Sequence, residues 1–100
     1  MAVYTIAQLK FTDVEAYRRY QKAFPGVFAK FNARLLVSDE SPTVLEGSWP
    51  RDKVVVIEFP DEAEAMRFGA DPDYLAIAKD RKAGAEAVIL LAKGFPRSSN

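Results

Sequence analysis

Cysteine and histidine are both missing from this sequence. Without thiols there is no disulfide, no thiolate nucleophile and no thiolate metal ligand. Without imidazole there is no Ser-His relay, no zinc site of the usual kind and no histidine-ligated haem. A net charge is missing as well, since 14 Lys and Arg balance 14 Asp and Glu. No global field therefore draws in nucleic acid or an anionic membrane, and neither partner is expected. The longest apolar run, Ala87 to Ala92, is far below the roughly 20 residues that span a bilayer. The N-terminus has no basic segment followed by an apolar one. These absences leave a soluble cytoplasmic protein as the default, with no metal and no cofactor expected.

What is there suits one domain over residues 1–95, with 96–100 a short flexible tail. A chain of 100 residues buries about 60 to 70% of its unfolded surface, which leaves little margin for a large cavity inside one subunit. Val3 to Leu9 is β-branched and aromatic, and reads as a strand apolar on both faces. Thr12-Asp13-Val14-Glu15 has the capping-box spacing and starts a helix at Thr12. Tyr17, Tyr20, Phe24, Val27 or Phe28, and Phe31 recur at helical spacing, a stripe that is usually core, while Arg18, Arg19 and Lys22 face water and Glu15 can pair with Arg18 or Arg19. Pro25-Gly26 predicts a kink or two helical pieces.

Ala33 to Ser38 is the second strand. Asp39-Glu40-Ser41-Pro42 has turn chemistry and leads into a short return segment, Thr43 to Glu46, which together suggest a hairpin extension. Gly47 to Asp52 is a loop carrying Trp49-Pro50. Lys53 to Phe59 is apolar at nearly every position except Glu58 and reads as a strand buried on both faces. Asp61 caps a helix through Ala63, Met66 and Ala70, in which Glu64 and Arg67 can pair. Asp71-Pro72 starts another to about Gly84, presenting Tyr74, Ile77, Ala78 and Arg81 on one face. Ala87 to Lys93 is the last strand.

This order is an α+β, ferredoxin-like βαββαβ arrangement, an antiparallel sheet with helices on one face. The other face is left bare, yet consecutive apolar residues in the third and fourth strands require burial on both sides. A homodimer whose open sheet faces pack together resolves the conflict, giving a dimeric α+β barrel.

The motifs Glu46-Gly47-x-Trp49-Pro50, Glu58-Phe59-Pro60 and Tyr17-x-x-Tyr20, with Arg34 and Arg81, resemble the domain of unknown function 1330 family over nearly the whole chain. The resemblance implies membership of the dimeric α+β barrel superfamily. That superfamily includes cofactor-free monooxygenases, lactone isomerases, aldoxime-type dehydratases, haem enzymes and ligand-sensing modules; the family itself carries no established reaction. Its pattern has a Gly pair before the Arg of the second strand and a Gly-rich turn after that strand. Here those positions are Asn32-Ala33 and Ser38-Asp39-Glu40.

By alternation Val55, Ile57 and Phe59 face the helices, and Val54, Val56 and Glu58 face the barrel interior. Glu58 among apolar neighbours is the candidate acid or base, because such a setting disfavours the charged form; a structural ion pair with Arg34 or Arg81 is the commoner use of such a carboxylate. Arg81 either binds a ligand carboxylate through its fork or pairs with Glu58, and the pairing is favoured. Trp49 forms a pocket wall or, by preference, a plug against the partner subunit. Tyr17 and Tyr20 shape the space between helix and sheet. Glu46 is a lesser candidate that also reads as an edge-strand charge. Three functions fit: a cofactor-independent enzyme acting on a small, partly apolar molecule, with Glu58 as base or acid, Arg34 or Arg81 fixing an anionic group and Tyr17 and Tyr20 shaping the pocket; a small-molecule binding or sensing module using the same pocket; and a dimeric scaffold.

Overall fold

The computed structural model describes residues 1–96; of the tail over 96–100, everything from Arg97 onward lies outside the described residues. In chain order the elements are β1 (Val3–Phe11), α1 (Val14–Phe28), β2 (Arg34–Asp39), β3 (Lys53–Phe59), α2 (Glu62–Ala70), α3 (Pro72–Gly84) and β4 (Ala85–Lys93). The strands form one antiparallel sheet in the order β2-β3-β1-β4. All three helices pack on one face of it, making a slab 16 Å across its thin axis. Two layers and no third leave the opposite face bare, as the element order predicts.

Alternation along β3 explains which residues are inside. Ile57 and Phe59 are buried and Val55 packs beside them, together with Val3 and Leu9 of β1. Burying a side chain of this size contributes about 1.5–3 kcal/mol. Across the gap they meet Tyr17 and Tyr20 of α1, Phe31, and Ala65 and Phe68 of α2. Phe68 is an aromatic hub, its ring centroid 4.3 Å from that of Tyr74, 5.1 Å from Phe31 and 5.6 Å from Phe59. On α2 the inward face is therefore Ala65 and Phe68, and Met66, expected on it, is exposed.

The register places Tyr4 opposite Glu58, and Glu58 opposite Arg34. A bulge between Leu35 and Val37 reverses the alternation of β2, so Leu35 faces the helix side with Ile57 while Val37 joins Val56 on the bare face. Without that extra residue both would share one face.

Four local expectations are corrected. The cap of α1 is Asp13, whose carboxylate accepts from the Ala16 amide at 3.3 Å. Thr12 is drawn instead to the end of α3, its hydroxyl donating to the Ala83 carbonyl and its amide to the Gly84 carbonyl. Of the kink or two pieces expected at Pro25, the two pieces do not form: α1 runs through Pro25 as one helix to Phe28, at the loss of the single bond a Pro25 amide would have given the Gln21 carbonyl. The return strand at Thr43–Glu46 does not form: the β2–β3 ladder ends at Asp39 opposite Val54. Pro42, Pro50 and Gly47, the last in the left-handed region at φ 88, break an extended run there. Arg18 and Arg19 turn away from Glu15 to Glu40 and Asp80, which approach from other elements.

Candidate functional site

Contrary to the small margin expected, a cavity of about 460 Å³, partly open to solvent, lies between helices and sheet beside the packed core. Its cause lies in the residues at the centre of the sheet. On its helix-facing side β1 offers Thr5 and Ala7, too short to fill the space beneath Tyr17, Tyr20, Phe24 and Phe68. Above that gap α1 and α3 meet closely at Gly84. A Cβ on Gly84 would stand 2.8 Å from the Asp13 carbonyl oxygen and 2.9 Å from Tyr17 Cα. So close an approach admits only glycine, and Thr12 and Asp13 donate to the Gly84 carbonyl at 2.9 and 3.1 Å.

The polar groups of the cavity are few and placed by short, well-defined elements. Asp71 caps α3 by accepting from the Tyr74 amide at 3.0 Å, with Pro72 in the first turn. Successive turns of α3 then bring Tyr74, Ala78 and Arg81 to the cavity. The Tyr74 and Tyr20 hydroxyls lie 3.3 Å apart. Burial, reinforced by Tyr74, pushes the Tyr20 phenol well above its usual range, so it stays neutral and keeps its proton for donation. Arg81 Nε is buried and meets no hydrogen-bond acceptor among the described residues. A charged donor left in that state costs several times a net hydrogen bond.

Lys53 is the second cation. It opens β3 with the same parity as Val55, Ile57 and Phe59, so the strand carries it to the helix side, where it is 2% exposed. Its Nζ lies 4.8 Å from the centre of the Tyr17 ring and 3.5 Å from Glu40 Oε2. Glu40 is also gripped by both terminal nitrogens of Arg18, and that charge-assisted pairing draws its carboxyl down to about 2. Among the described residues lining the cavity, Lys53, Arg81 and Lys82 are cationic and none carries a carboxylate.

The candidates singled out from sequence are thus divided between two faces. Arg81, Tyr17 and Tyr20 line the helix-side cavity. Glu58 and Arg34 lie on the bare face, joined at 3.4 Å, and the Tyr4 hydroxyl donates to the other Glu58 oxygen at 3.0 Å. The favoured Glu58–Arg81 pair is therefore not made, because the sheet stands between them. Trp49 and Glu46 border a shallow hollow over the bare face, where the indole NH donates to Gln8 Oε1 at 3.0 Å. Glu46 is exposed on irregular chain, outside any edge strand. Sequence reasoning missed Lys53, although period-two counting back from Phe59 places a lone cation on the apolar face. It also missed Tyr4, which only the strand register brings to Glu58.

Fold and cavity together define a ferredoxin-like α+β protein with a cationic, aromatic-lined space between its layers. The chain belongs to the family described as a domain of unknown function, DUF1330, which matches residues 2–95. No curated protein matches it. Among solved structures it is similar to a protein of unknown function from Rhodopseudomonas palustris, at 18% identity and a TM-score of 0.80, covering 96% of this chain and 84% of that one. It is also similar to a dimeric ferredoxin-like protein of unknown function from Jannaschia sp. CCS1, at 12% identity and a TM-score of 0.76, covering 94% and 100%. SnoaB, a cofactor-independent oxygenase from Streptomyces nogalater, shares the fold at 16% identity and a TM-score of 0.65, covering 99% and 98%. At these identities the likeness is one of fold.

Proposed function

We propose that this protein is a homodimer that takes a small, partly apolar molecule into the helix-side cavity of each protomer. The observation that carries the reading is the cavity itself: about 460 Å³ with aromatic walls and a buried, unsatisfied Arg81 Nε. That volume falls in the range of small-molecule sites, which are mostly apolar with a few converging polar groups. Dimerisation rests on the bare sheet face, where Val37, Val88 and Leu90 are 39, 40 and 50% exposed. Two copies related by a twofold axis cover that face mutually, as the dimeric solved structures of this fold suggest. In that setting Glu58, Arg34 and Tyr4 serve the interface, where both Glu58 oxygens already have partners.

A screen of small aromatic and branched apolar compounds by thermal shift tests the reading. Stabilisation by several of them at submillimolar concentration supports it, and a flat screen contradicts it. Cofactor-independent turnover is the second reading, favoured by the oxygenase that shares the fold. Mass spectrometry of a bound compound after aerobic incubation tests it: an unchanged mass leaves a binding module. A changed mass that survives Glu58→Gln removes Glu58 from the chemistry.

A further inference from the structure

We infer that the cavity ligand is an organic monoanion, a carboxylate on an aromatic or branched apolar body, whose carboxylate is received by Arg81. The inference rests on the small-molecule reading above and adds its chemical class. Three observations converge on it. Of the three lining cations only Lys53 has a carboxylate at hand, Glu40 from outside the lining; Arg81 and Lys82 have no ion-pair partner among the described residues, so an anionic guest suits the site better than a cationic one. Arg81 Nε is a buried donor with no acceptor among the described residues, and the guanidinium edge matches a planar carboxylate. The Tyr20 and Tyr74 hydroxyls, 3.3 Å apart, share one hydrogen bond, which leaves one of their two protons for an acceptor in the cavity.

A phosphate is a poorer match. Phosphate sites draw on free backbone amides at helix N-termini. Here each helix N-terminus already carries the chain's own carboxylate, Asp13, Asp61 or Asp71, which accepts from the amide of Ala16, Glu64 or Tyr74 and opposes a second anion there. The remaining lining, with Ala7, Val55 and Phe68 among it, is apolar and calls for an apolar body. Lys53 stays engaged with Glu40 and Lys82 is exposed to water, which leaves Arg81 as the lining cation with a buried, unpartnered donor.

The test titrates the full chain with three isosteric probes: 2-naphthoate, 2-naphthamide and 2-naphthylmethylammonium. The expected result is at least tenfold tighter binding of the naphthoate than of the amide, with the ammonium weakest. In Arg81→Met the preference for naphthoate over amide falls below threefold, while the amide binds within threefold of its wild-type affinity. If Arg81→Met does not fold, Arg81→Lys replaces it and is expected to keep a reduced preference, because the charge remains and the fork is lost. Equal binding of naphthoate and naphthamide by the wild type overturns the inference and leaves the cavity reading standing. No binding of any probe up to millimolar concentration removes both, and tightest binding of the ammonium reverses the assigned sign.

Discussion

Replacing Gly84 by Ala drives a methyl group between the end of α3 and the first turn of α1. Ordinary contact begins at 3.4 Å, so the Asp13 carbonyl oxygen, 2.8 Å from the new Cβ, must retreat by 3.4 − 2.8 = 0.6 Å, and Tyr17 Cα, at 2.9 Å, by 0.5 Å. Tyr17 N lies closer still. These are backbone atoms of a capped helix, so no side chain can swing aside and α1 must move as a body. Overpacking of this kind costs about 1–3 kcal/mol. The same movement stretches the bonds from Thr12 and Asp13 to the Gly84 carbonyl, each worth about 0.5–1.5 kcal/mol net. Against this stands the helix-forming advantage of Ala over Gly, about 0.5–1 kcal/mol. The clash wins, and the net expectation is a loss of about 2 kcal/mol. Urea unfolding at fixed protein concentration, read by tryptophan fluorescence, should then show a midpoint lower by about 1–2 M with an unchanged slope. Gly26→Ala is the control: it lies within α1, a Cβ there meets nothing within 4 Å, and it should raise the midpoint by gaining helix propensity alone. A Gly84→Ala midpoint equal to or above that of wild type would refute the claim that α1 and α3 are locked at this position.

Three further expectations follow from the same geometry. Ala7→Leu fills the cavity floor, so it should abolish probe binding without lowering the melting temperature by more than a few degrees; retained binding would place the ligand elsewhere. Leu90→Lys puts like charges across the twofold contact of the bare faces, and sedimentation at micromolar concentration should shift from twice 11.1 kDa to the mass of one chain. Glu40 has a folded value of about 2, below its ordinary 4.5, so its contribution is present above 4.5 and is lost as pH falls toward 2. Its side chain is 36% exposed, so the discounted size is about 0.5–1 kcal/mol; Glu40→Gln should be less stable by that amount at pH 7, and the gap to wild type should close between pH 5 and 2.

Much of the architecture is local and was legible for that reason. Val55, Ile57 and Phe59 alternate cleanly, Asp61 and Asp71-Pro72 mark two helix starts, and the order of elements leaves one sheet face bare. The hairpin extension failed because Pro42, Gly47 and Pro50 outweigh the β-branched Thr43 and Val44. The cavity was illegible because its volume is a sum over distant parts: short Thr5 and Ala7 on β1, and Tyr17, Tyr20, Phe24 and Phe68 above them. Charge alone suggested pairing Arg81 with Glu58, and only the separation of helix from alternate sheet face assigns the two residues to different environments. Lys53 shares the parity of Val55, Ile57 and Phe59 and so was legible by period-two counting, although a cation at a strand's first position ordinarily faces water.

A crystal of the full chain soaked with 6-bromo-2-naphthoate, with the bromine located by its anomalous signal, places the ligand without reference to any assay. A single strong bromine peak is expected in the helix-side cavity near Ala7, Val55 and Phe68, with the carboxylate on Arg81. A peak over the bare sheet face beside Trp49 and Glu46, or a cavity that stays empty while the compound stabilises the protein in solution, would contradict that expectation.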